Sequence, residues 1–387
     1  MLRVGIIGYG GRVSGMAKRL GQYSIPYRVV AIADPRWEVI RSKEDPFLDG
    51  TRFFDSADEM LAQSELDGVM IGTRCRLHTE MATKVAPHKL PLFLEKPVAI
   101  TFDQLKQLAD AFRDYPAPTV ISFPLRVSPL CQMVKDIIDS GVIGTPEHLI
   151  GFNDVPYGEH YFARWYRDYA EMGGLWLQKA THDLDYIHFL MGQRPKTLCA
   201  MKAQRVYGGR EDKPFDLKCV DCDEWETCPE SPYNLFYQRY QGSEVDTDSP
   251  RMCLFSKDIK NEDISNCIIE YENGAQCSYT QNVFARHGSA RRGARIYGYK
   301  GTIHFDWYEN AIHLYKHQSP VEETIKPTGD MSHFGGDREL SLDFLRAMRD
   351  GTQSRTPIET GIMSALTCLW ARESSETHRY CDVVMPQ

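Results

Sequence analysis

A glycine-rich turn near the start of the chain carries the first residues that could do chemistry. A short apolar run at 3–7 is followed by glycines at positions 8, 10 and 11 and by a segment that can begin a helix at 12–20. Gly8 would allow a tight turn, and Gly10 would let the backbone approach a pyrophosphate facing the helix N-terminus. Asp34 ends the next apolar run, 24 residues after Gly10, where a carboxylate can bind the adenosine ribose. The spacing predicts a dinucleotide site, with NAD favoured over NADP because the charge of Asp34 would oppose a 2′-phosphate.

This turn departs from the usual dinucleotide pattern at one position. Val13 stands where a third small residue is usual, which questions the close packing of helix on strand more than the phosphate site. Arg36, two residues after Asp34, would soften the preference for NAD. A purely structural glycine turn is the alternative interpretation. The predicted cofactor residues in this region are Gly8, Gly10, Gly11, Arg12, Val13 and Asp34.

Strand-like and helix-like segments alternate through the first third of the chain. Further helices are predicted at 56–64, 77–86 and 101–115, and further strands at 68–73, 91–94 and 118–123. This alternation predicts an α/β fold with a doubly wound, Rossmann-type parallel sheet covered by helices on both faces. Ligands of such sheets bind at the carboxyl ends of the strands. These ends hold Gly8, Asp34, Thr73 and the segment Glu95-Lys96-Pro97.

Three segments make the sequence resemble the glucose–fructose oxidoreductase, inositol dehydrogenase and rhizopine catabolism (Gfo/Idh/MocA) family. They are Glu95-Lys96-Pro97 within 93–101, the loop and helix start at 73–80, and the glycine-rich turn and helix at 173–185. The resemblance implies NAD(P)-dependent oxidation or reduction of a hydroxyl on a sugar, glycoside or polyol. It further implies that Thr73, Arg74, His78, Glu95 and Lys96 lie along the cofactor.

The resemblance also implies two domains. We place an NAD-binding Rossmann domain at 1–122 and a C-terminal α/β domain for substrate binding and oligomerisation at 123–356, with a large open, mostly antiparallel sheet. A helix at about 357–378 is expected to pack back on the first domain, and 208–251 is interpreted as an insertion. Family members often associate through the open sheet, so a homo-oligomer, a dimer or tetramer, is expected.

Oxidation of an alcohol needs a base near the hydroxyl and a cation beside its oxygen. His182 suits the first role, because the pKa of free histidine is about 6.5. Lys96 suits the second, and the resemblance implies that it hydrogen-bonds the reacting hydroxyl. Asp185 follows His182 by one helical turn and could orient its ring.

One position departs from the family pattern. Many members carry aspartate four residues before the helical histidine, where this chain has Gln178 followed by Lys179. Glutamine cannot act as a carboxylate base, so either Lys179 takes part in catalysis or the polar role is reassigned. The alternative for Lys179 is a surface ion pair with Asp183, which would contribute little.

Aromatic and cationic residues are concentrated at 157–167, a composition that suits sugars because aromatic rings take their apolar faces. A buried aromatic loop is the alternative. A basic segment at 285–295 predicts a solvent-exposed hairpin, and the loop around residue 333 could line a cleft. The predicted substrate-binding residues are Arg126, Tyr157, Tyr161, Arg164, Gln178, Asp185 and His333.

A cysteine cluster lies within the insertion. Cys219 and Cys222 form a C-x2-C pair, Cys228 follows, and Cys253 lies 25 residues further on. Four thiolates could close a structural zinc site, although the spacing is irregular. Free thiols and a disulfide are the alternatives, and no catalytic role is expected.

Composition limits the function classes. The chain has 387 residues and a net charge of −8, which argues against nucleic acid and acidic membranes as partners. No membrane span or signal peptide is visible, so a cytoplasmic location is expected. The sequence thus predicts an NAD-dependent sugar or polyol oxidoreductase. A redox-neutral, NAD-dependent glycoside hydrolase and a non-catalytic nucleotide-sensing protein remain alternatives.

Overall fold

The computed structural model describes residues 1–231, 234, 251–328 and 332–386, without the side chains at 287, 332 and 333. Its first sheet is parallel, with the strand order β3-β2-β1-β4-β5-β6. Its strands are β1 (Leu2–Ile7), β2 (Tyr27–Ala33), β3 (Arg52–Phe54), β4 (Gly68–Ile71), β5 (Leu92–Leu94) and β6 (Thr119–Ile121). The predicted Rossmann-type sheet is confirmed.

Helices connect these strands and cover the sheet. They are α1 (Gly11–Arg19), α2 (Trp37–Ser42), α3 (Ala57–Gln63), α4 (His78–Val85) and α5 (Phe102–Ala111). Ser56 and Thr101 cap α3 and α5 through side-chain oxygens that accept from backbone amides three residues on. Both faces of the sheet are therefore buried, as the apolar runs in its strands require.

The second sheet has the order β14-β13-β12-β11-β7-β10-β9-β8-β15, with one parallel contact, between β7 and β10. Its strands are β7 (Pro146–Asp154), β8 (Pro195–Ala203), β9 (Ile264–Tyr271), β10 (Gln276–Asn282), β11 (Arg291–Gly298), β12 (Gly301–Asp306), β13 (Ala311–Lys316), β14 (Glu322–Ile325) and β15 (Cys381–Asp382). The predicted large, mostly antiparallel sheet is confirmed.

Helices of the second half pack on one face of this sheet and join it to the first. They are α6 (Pro124–Val127), α7 (Pro129–Asp139), α8 (His160–Ala163), α9 (Tyr169–Met172), α10 (Thr181–Met191), α11 (Gly336–Asp350) and α12 (Ile358–Thr377). Among the described residues, no helix has the length and apolarity required to cross a membrane.

Both of the last helices return toward the first sheet. In α11, assigned from the sequence to the second domain, Leu340 and Phe344 are buried in the core formed with β1 and α1. The apolar face of α11 must be buried against another element, and it packs on the first sheet. At the start of α12, the Ile358 amide donates to Thr119 Oγ1 on β6. The Rossmann core is thus completed by chain from both ends of the sequence.

Candidate active site

The glycine turn after β1 has the form that a bound pyrophosphate needs. Gly8 has φ of +80°, and a Cβ there would lie 2.7–2.9 Å from atoms of Thr73, so only glycine fits. A Cβ on Gly11, the first residue of α1, would meet nothing within 4 Å. Open space therefore lies at the N-terminus of α1, where backbone amides and the helix dipole favour an anion. These residues fit the pyrophosphate of a dinucleotide.

Val13, the departure from the glycine pattern, is accommodated by a glycine on the next strand. Its side chain is fully buried, and a Cβ built on Gly72 would lie only 2.1 Å from its Cγ2 atom. The small residue that close packing requires is therefore at the end of β4 instead of in α1, and α1 still packs closely on the sheet. Sequence reasoning missed Gly72 because the compensation is not local.

Asp34 lies at the carboxyl end of β2, and its carboxylate is held by backbone amides. Oδ2 accepts from the Tyr9 amide at 2.9 Å and Oδ1 from the Arg36 amide at 2.8 Å. The Arg36 Nε atom is 3.7 Å from Oδ1. The carboxylate is thus fixed beside the glycine turn, where a ribose would lie.

Arg12 and Glu95, predicted to contact the cofactor, bind each other. Arg12 Nε donates to Glu95 at 3.0 Å, and its terminal nitrogens donate to Asp337 at 2.7 and 2.8 Å and to Ser122 at 3.0 Å. Asp337 lies in the first turn of α11. In this arrangement the three charged residues hold the glycine turn, the end of β5 and α11 together.

The His78 ring is buried and hydrogen-bonded to the backbone at both nitrogens, so it holds two loops in place. The ring is buried, with Nδ1 2.7 Å from Pro97 O and Nε2 3.1 Å from Thr73 O. Burial lowers its pKa. It therefore connects the loop after β4 with the Lys96–Pro97 turn, whose peptide bond is cis. Arg74 is exposed, and its guanidinium carbon lies 3.8 Å from the centre of the Trp165 ring, which belongs to the second half of the chain.

Lys96 connects the first domain to the helix that carries the other candidate catalytic residues. Its Nζ atom donates to Gln178 O at 2.7 Å. Burial and the nearby charges of Lys179 and Arg12 lower its pKa to about 8. The Gln178 side chain accepts from Cys75 Sγ at 3.5 Å, so it packs under the lysine.

The segment before α10 is a π-turn, Trp176–Ala180, which presents Lys179 toward an aromatic wall. Such turns are frequent at functional sites because they rotate side chains out of the α-helical register. Lys179 Nζ donates to the Tyr157 hydroxyl at 2.6 Å and lies 4.6 Å from that ring's centroid. Burial and the Arg292 charge lower the pKa of Lys179. Partial burial of the phenol opposes ionisation, but the charges of Lys179 and Arg292 outweigh it and lower the pKa of Tyr157.

His182 lies in the first turn of α10, half-buried, with its ring edge-on to Phe123 at 6.0 Å between centroids. It follows Lys179 by three residues, directly after the π-turn. Lys96, Lys179 and Tyr157 thus lie together where the carboxyl end of β5 faces the π-turn, and His182 follows in the first turn of α10.

Asp183 does not form the surface ion pair with Lys179 that the spacing allowed. It is fully buried, accepts from Arg292 Nε at 2.8 Å, and accepts through Oδ2 from Tyr279 and Asn153 at 2.8 and 2.7 Å. The prediction of a solvent-exposed hairpin at 285–295 is wrong for Arg292, which points inward from β11 while Arg291 points out. That alternation along a strand was the available signal for this missed residue.

Arg126 and Asp185, both predicted to bind substrate, form a buried ion pair with each other. Arg126 donates to both carboxylate oxygens of Asp185, from Nη2 at 2.6 Å and from Nε at 3.0 Å. The expectation that Asp185 orients His182 therefore differs from the structure, since Arg126 occupies both of its oxygens. We interpret this pair as fixing α6 against α10, because breaking a buried ion pair is costly.

The remaining predicted substrate residues differ in burial and in their distance from Lys179. Tyr161 is buried with its ring centroid 5.9 Å from Lys179 Nζ, and Arg164 is half-buried at the end of α8. The side chain of His333 lies outside the described residues. Tyr308, exposed and electrostatically coupled to Tyr157, joins the aromatic wall and was missed because it is distant in sequence.

The four cysteines of the insertion share one small cavity. Cys219, Cys222, Cys228 and Cys253 line about 20 Å³ of space together with Trp225, and none forms a disulfide. In the described part of the chain, no three histidine, cysteine or acidic side chains are placed to hold a metal ion. No disulfide joins these four residues, and the choice between zinc and free thiols stays a prediction of the sequence. Residues 232–233 and 235–250 of the insertion lie outside the described chain.

Both halves of the chain match known protein families. Residues 2–121 match a family described as "Oxidoreductase family, NAD-binding Rossmann fold", and residues 131–304 match one described as "GFO/IDH/MocA C-terminal domain". These two segments together make up most of the chain.

Individual relatives agree in kind. The chain is 27% identical over 363 residues to "Putative oxidoreductase YteT" of Bacillus subtilis, and the alignment covers 83% of each chain. It is 24% identical over 203 residues to the inositol 2-dehydrogenase of Rhizobium meliloti, covering 52% of this chain and 58% of that one. A solved levoglucosan dehydrogenase in complex with NADH and L-sorbose superposes with a TM-score of 0.78 at 19% identity, covering 100% of this chain and 99% of the other. That last likeness shows the fold.

Proposed function

This chain belongs to the Gfo/Idh/MocA family of oxidoreductases, and from that premise we propose that it oxidises or reduces a secondary hydroxyl of a sugar, glycoside or polyol with NAD. Its relatives include an inositol 2-dehydrogenase, and one structural neighbour is a levoglucosan dehydrogenase. The observation that carries the proposal is the contact of Lys96, from the first domain, with the π-turn that carries Lys179 and precedes His182. This contact supports the proposal that Lys96 supplies a cation, and His182 a titratable base, beside the predicted nicotinamide position.

The proposed chemistry divides between these side chains. When bound, the nicotinamide dinucleotide would accept or return the hydride. The Lys96 ammonium donates a hydrogen bond to the hydroxyl oxygen and stabilises the negative charge that develops there. His182 takes the hydroxyl proton during oxidation and returns it during reduction. Lys179, hydrogen-bonded to Tyr157, binds a second polar group of the substrate beside the reacting hydroxyl.

We further propose NAD rather than NADP as the coenzyme. The Asp34 carboxylate is only 5% exposed and is fixed beside the glycine turn, so a 2′-phosphate would meet a negative charge. The adjacent Arg36 guanidinium offsets that charge only in part, because it is largely exposed to solvent.

Substitution Asp34→Asn should lower the ratio of kcat/KM for NAD to that for NADP by about 10- to 100-fold, the worth of one charged hydrogen bond. The amide keeps the shape and one acceptor while removing the charge. Steady-state kinetics with each coenzyme measure the ratio. Asp55→Asn, at the end of the neighbouring strand β3 and exposed, is the matched control. An unchanged ratio in Asp34→Asn would exclude the carboxylate as the coenzyme selector.

The lowered pKa of Lys96, about 8, predicts the alkaline limb of the pH profile. Because the protonated ammonium stabilises the developing oxyanion, kcat/KM for oxidation should fall as pH rises through about 8. Substitution Lys96→Arg replaces the titrating group by one that stays charged, so residual activity should lose this limb. Rates in overlapping buffers measure it, and a limb that persists in the variant would belong to another group.

The function itself is tested by supplying free sugars, polyols and glycosides with NAD. The absorbance of reduced nicotinamide is recorded beside an assay of the organic product. Net reduction of NAD supports the dehydrogenase. No reduction and no product with any compound would contradict it.

A redox-neutral glycoside hydrolase is the second candidate, favoured by one observation. That reaction needs a second base for the carbon-bound proton, and the hydrogen-bonded pair Lys179–Tyr157, with both pKa values lowered, could supply it. In the same assay this activity would release a free sugar from a glycoside with no accumulated reduced nicotinamide.

We propose that a second copy of the chain covers the outer face of the large sheet. Met201 on β8, Ile268 on β9 and Ile150 on β7 are exposed there. Light scattering after gel filtration should give a dimer or tetramer, and Ile268→Lys should shift it toward monomer. Val220→Lys, an exposed apolar position outside the sheet, should not. A monomeric parent protein would contradict the proposal.

A further inference from the structure

Two buried cations, Lys179 and Arg292, lie at the wall of the site that holds Tyr157. Lys179 and Arg292 face the same tyrosines and interact electrostatically with each other. The only carboxylate bonded to either, in the described part of the chain, is Asp183. Buried charge without a partner is unfavourable, so such an excess indicates a ligand of opposite sign.

Asp183 cannot satisfy both cations. One oxygen accepts from Arg292 Nε, and the other accepts from Tyr279 and Asn153. Three donors from other elements therefore bind this carboxylate. Lys179 instead donates to the Tyr157 hydroxyl oxygen.

Arg292 keeps one donor unused. The residue is 6% exposed, and within the described residues its Nη2 atom is buried with no hydrogen-bond partner. Orphaned buried donors are rare in folded proteins because each has lost its bonds to water. Tyr157, Tyr161 and Tyr308 all lie close enough to the guanidinium to interact with it electrostatically.

This wall is open to a ligand. Tyr157 is 42% exposed although its hydroxyl is bonded to Lys179, and Tyr308 is 42% exposed beside it. Gly158 presses the loop against the end of β10, since a Cβ there would lie 1.7 Å from Val283 O. The loop that carries Tyr157 is therefore fixed, and both rings are accessible from solvent.

We propose that the substrate is an acidic sugar, a uronic or aldonic acid, whose carboxylate binds between Lys179 Nζ and Arg292 Nη2. This inference rests on the proposed function and adds the class of substrate. Lys179 and Arg292 would each donate one hydrogen bond to one carboxylate oxygen. The Tyr157 hydroxyl, no longer bonded to Lys179, would then be available to donate to the substrate. With one unit of positive charge in excess of Asp183, a singly charged carboxylate balances the wall better than a doubly charged phosphate.

The test is isothermal titration of the NAD-loaded enzyme with glucuronate, galacturonate and gluconate, beside glucose, galactose and glucose 6-phosphate. At least one acid should bind ten times more tightly than its neutral counterpart. Arg292→Lys keeps a bond to Asp183 but removes the unused donor, and it should reduce that advantage by about 10- to 100-fold. Lys179→Met should do the same without disturbing Asp183. Arg291→Met, on the same strand but pointing outward, is the matched control and should keep the advantage.

Three outcomes would overturn the proposal: neutral sugars bind as well as the acids, glucose 6-phosphate binds more tightly than any acid, or the advantage survives both substitutions. Absorbance of reduced nicotinamide, recorded with the same compounds, separates this proposal from the proposed function. Reduction of NAD by neutral sugars alone would remove the acidic substrate and keep the dehydrogenase. Acid binding that depends on Arg292, with no reduction of NAD by any compound, would keep the subsite and remove the dehydrogenase.

Discussion

Substitution Lys96→Met should abolish turnover while leaving NAD binding within a few-fold of the parent protein. The Lys96 ammonium reaches the π-turn from the first domain, with Nζ bonded to Gln178 O. Without it, the developing oxyanion would have no charged donor, a loss of about 100- to 1000-fold in kcat or more. Methionine keeps the length of the buried stem, so packing around the β5 end should survive. The dinucleotide would still meet the glycine turn and Asp34, which the substitution does not touch.

The measurements are kcat with a substrate identified by the sugar screen and NAD affinity by fluorescence titration. Lys106→Met, exposed on α5, is the matched control and should leave both unchanged. Because Lys96 also holds Gln178, the melting temperature of each variant should be compared. Loss of turnover and NAD binding together, with a lowered melting temperature, would indicate misfolding. Unchanged turnover would remove Lys96 from the mechanism.

The fold was predictable because its signals are local. Apolar runs that end in Gly8, Asp34 and Thr73, with helical patterns between them, specify a parallel sheet and the edge where ligands bind. Even the imperfect glycine pattern did not mislead, since Val13 is balanced by Gly72. That balance pairs two elements distant in the chain, so no window of sequence contains it.

The charge partners were not predictable, because they join segments far apart. Arg292 and Asp183 are 109 residues apart, and Arg126 and Asp185 are 59 apart. Local spacing instead suggested that Lys179 pairs with Asp183 and that Asp185 orients His182. In the structure each carboxylate is taken by an arginine from another element, because a fully buried carboxylate needs a cation and several donors. Short-range pairing rules hold on exposed helices, and α10 is buried on nearly all sides.

These buried partners give the second large prediction, which concerns stability. Asp183→Asn should lower the free energy of unfolding by about 3–5 kcal/mol, the usual cost of leaving one member of a buried ion pair unpaired. The Arg292 charge would stay buried without a counter-ion, and the amide NH2 would face the Asn153 or Tyr279 donors. Urea unfolding followed by circular dichroism measures the change.

Two comparisons make that result specific to the buried charge. Asp110→Asn removes the partner of Arg113 in an exposed pair at the end of α5, and it should cost less than about 1 kcal/mol. The double variant Asp183→Asn with Arg292→Met should be less destabilised than the sum of its single variants, since no unpaired charge is left inside. A cost for Asp183→Asn no larger than that of Asp110→Asn would mean that water or another group already solvates Arg292. The pair would then serve the substrate site more than the fold.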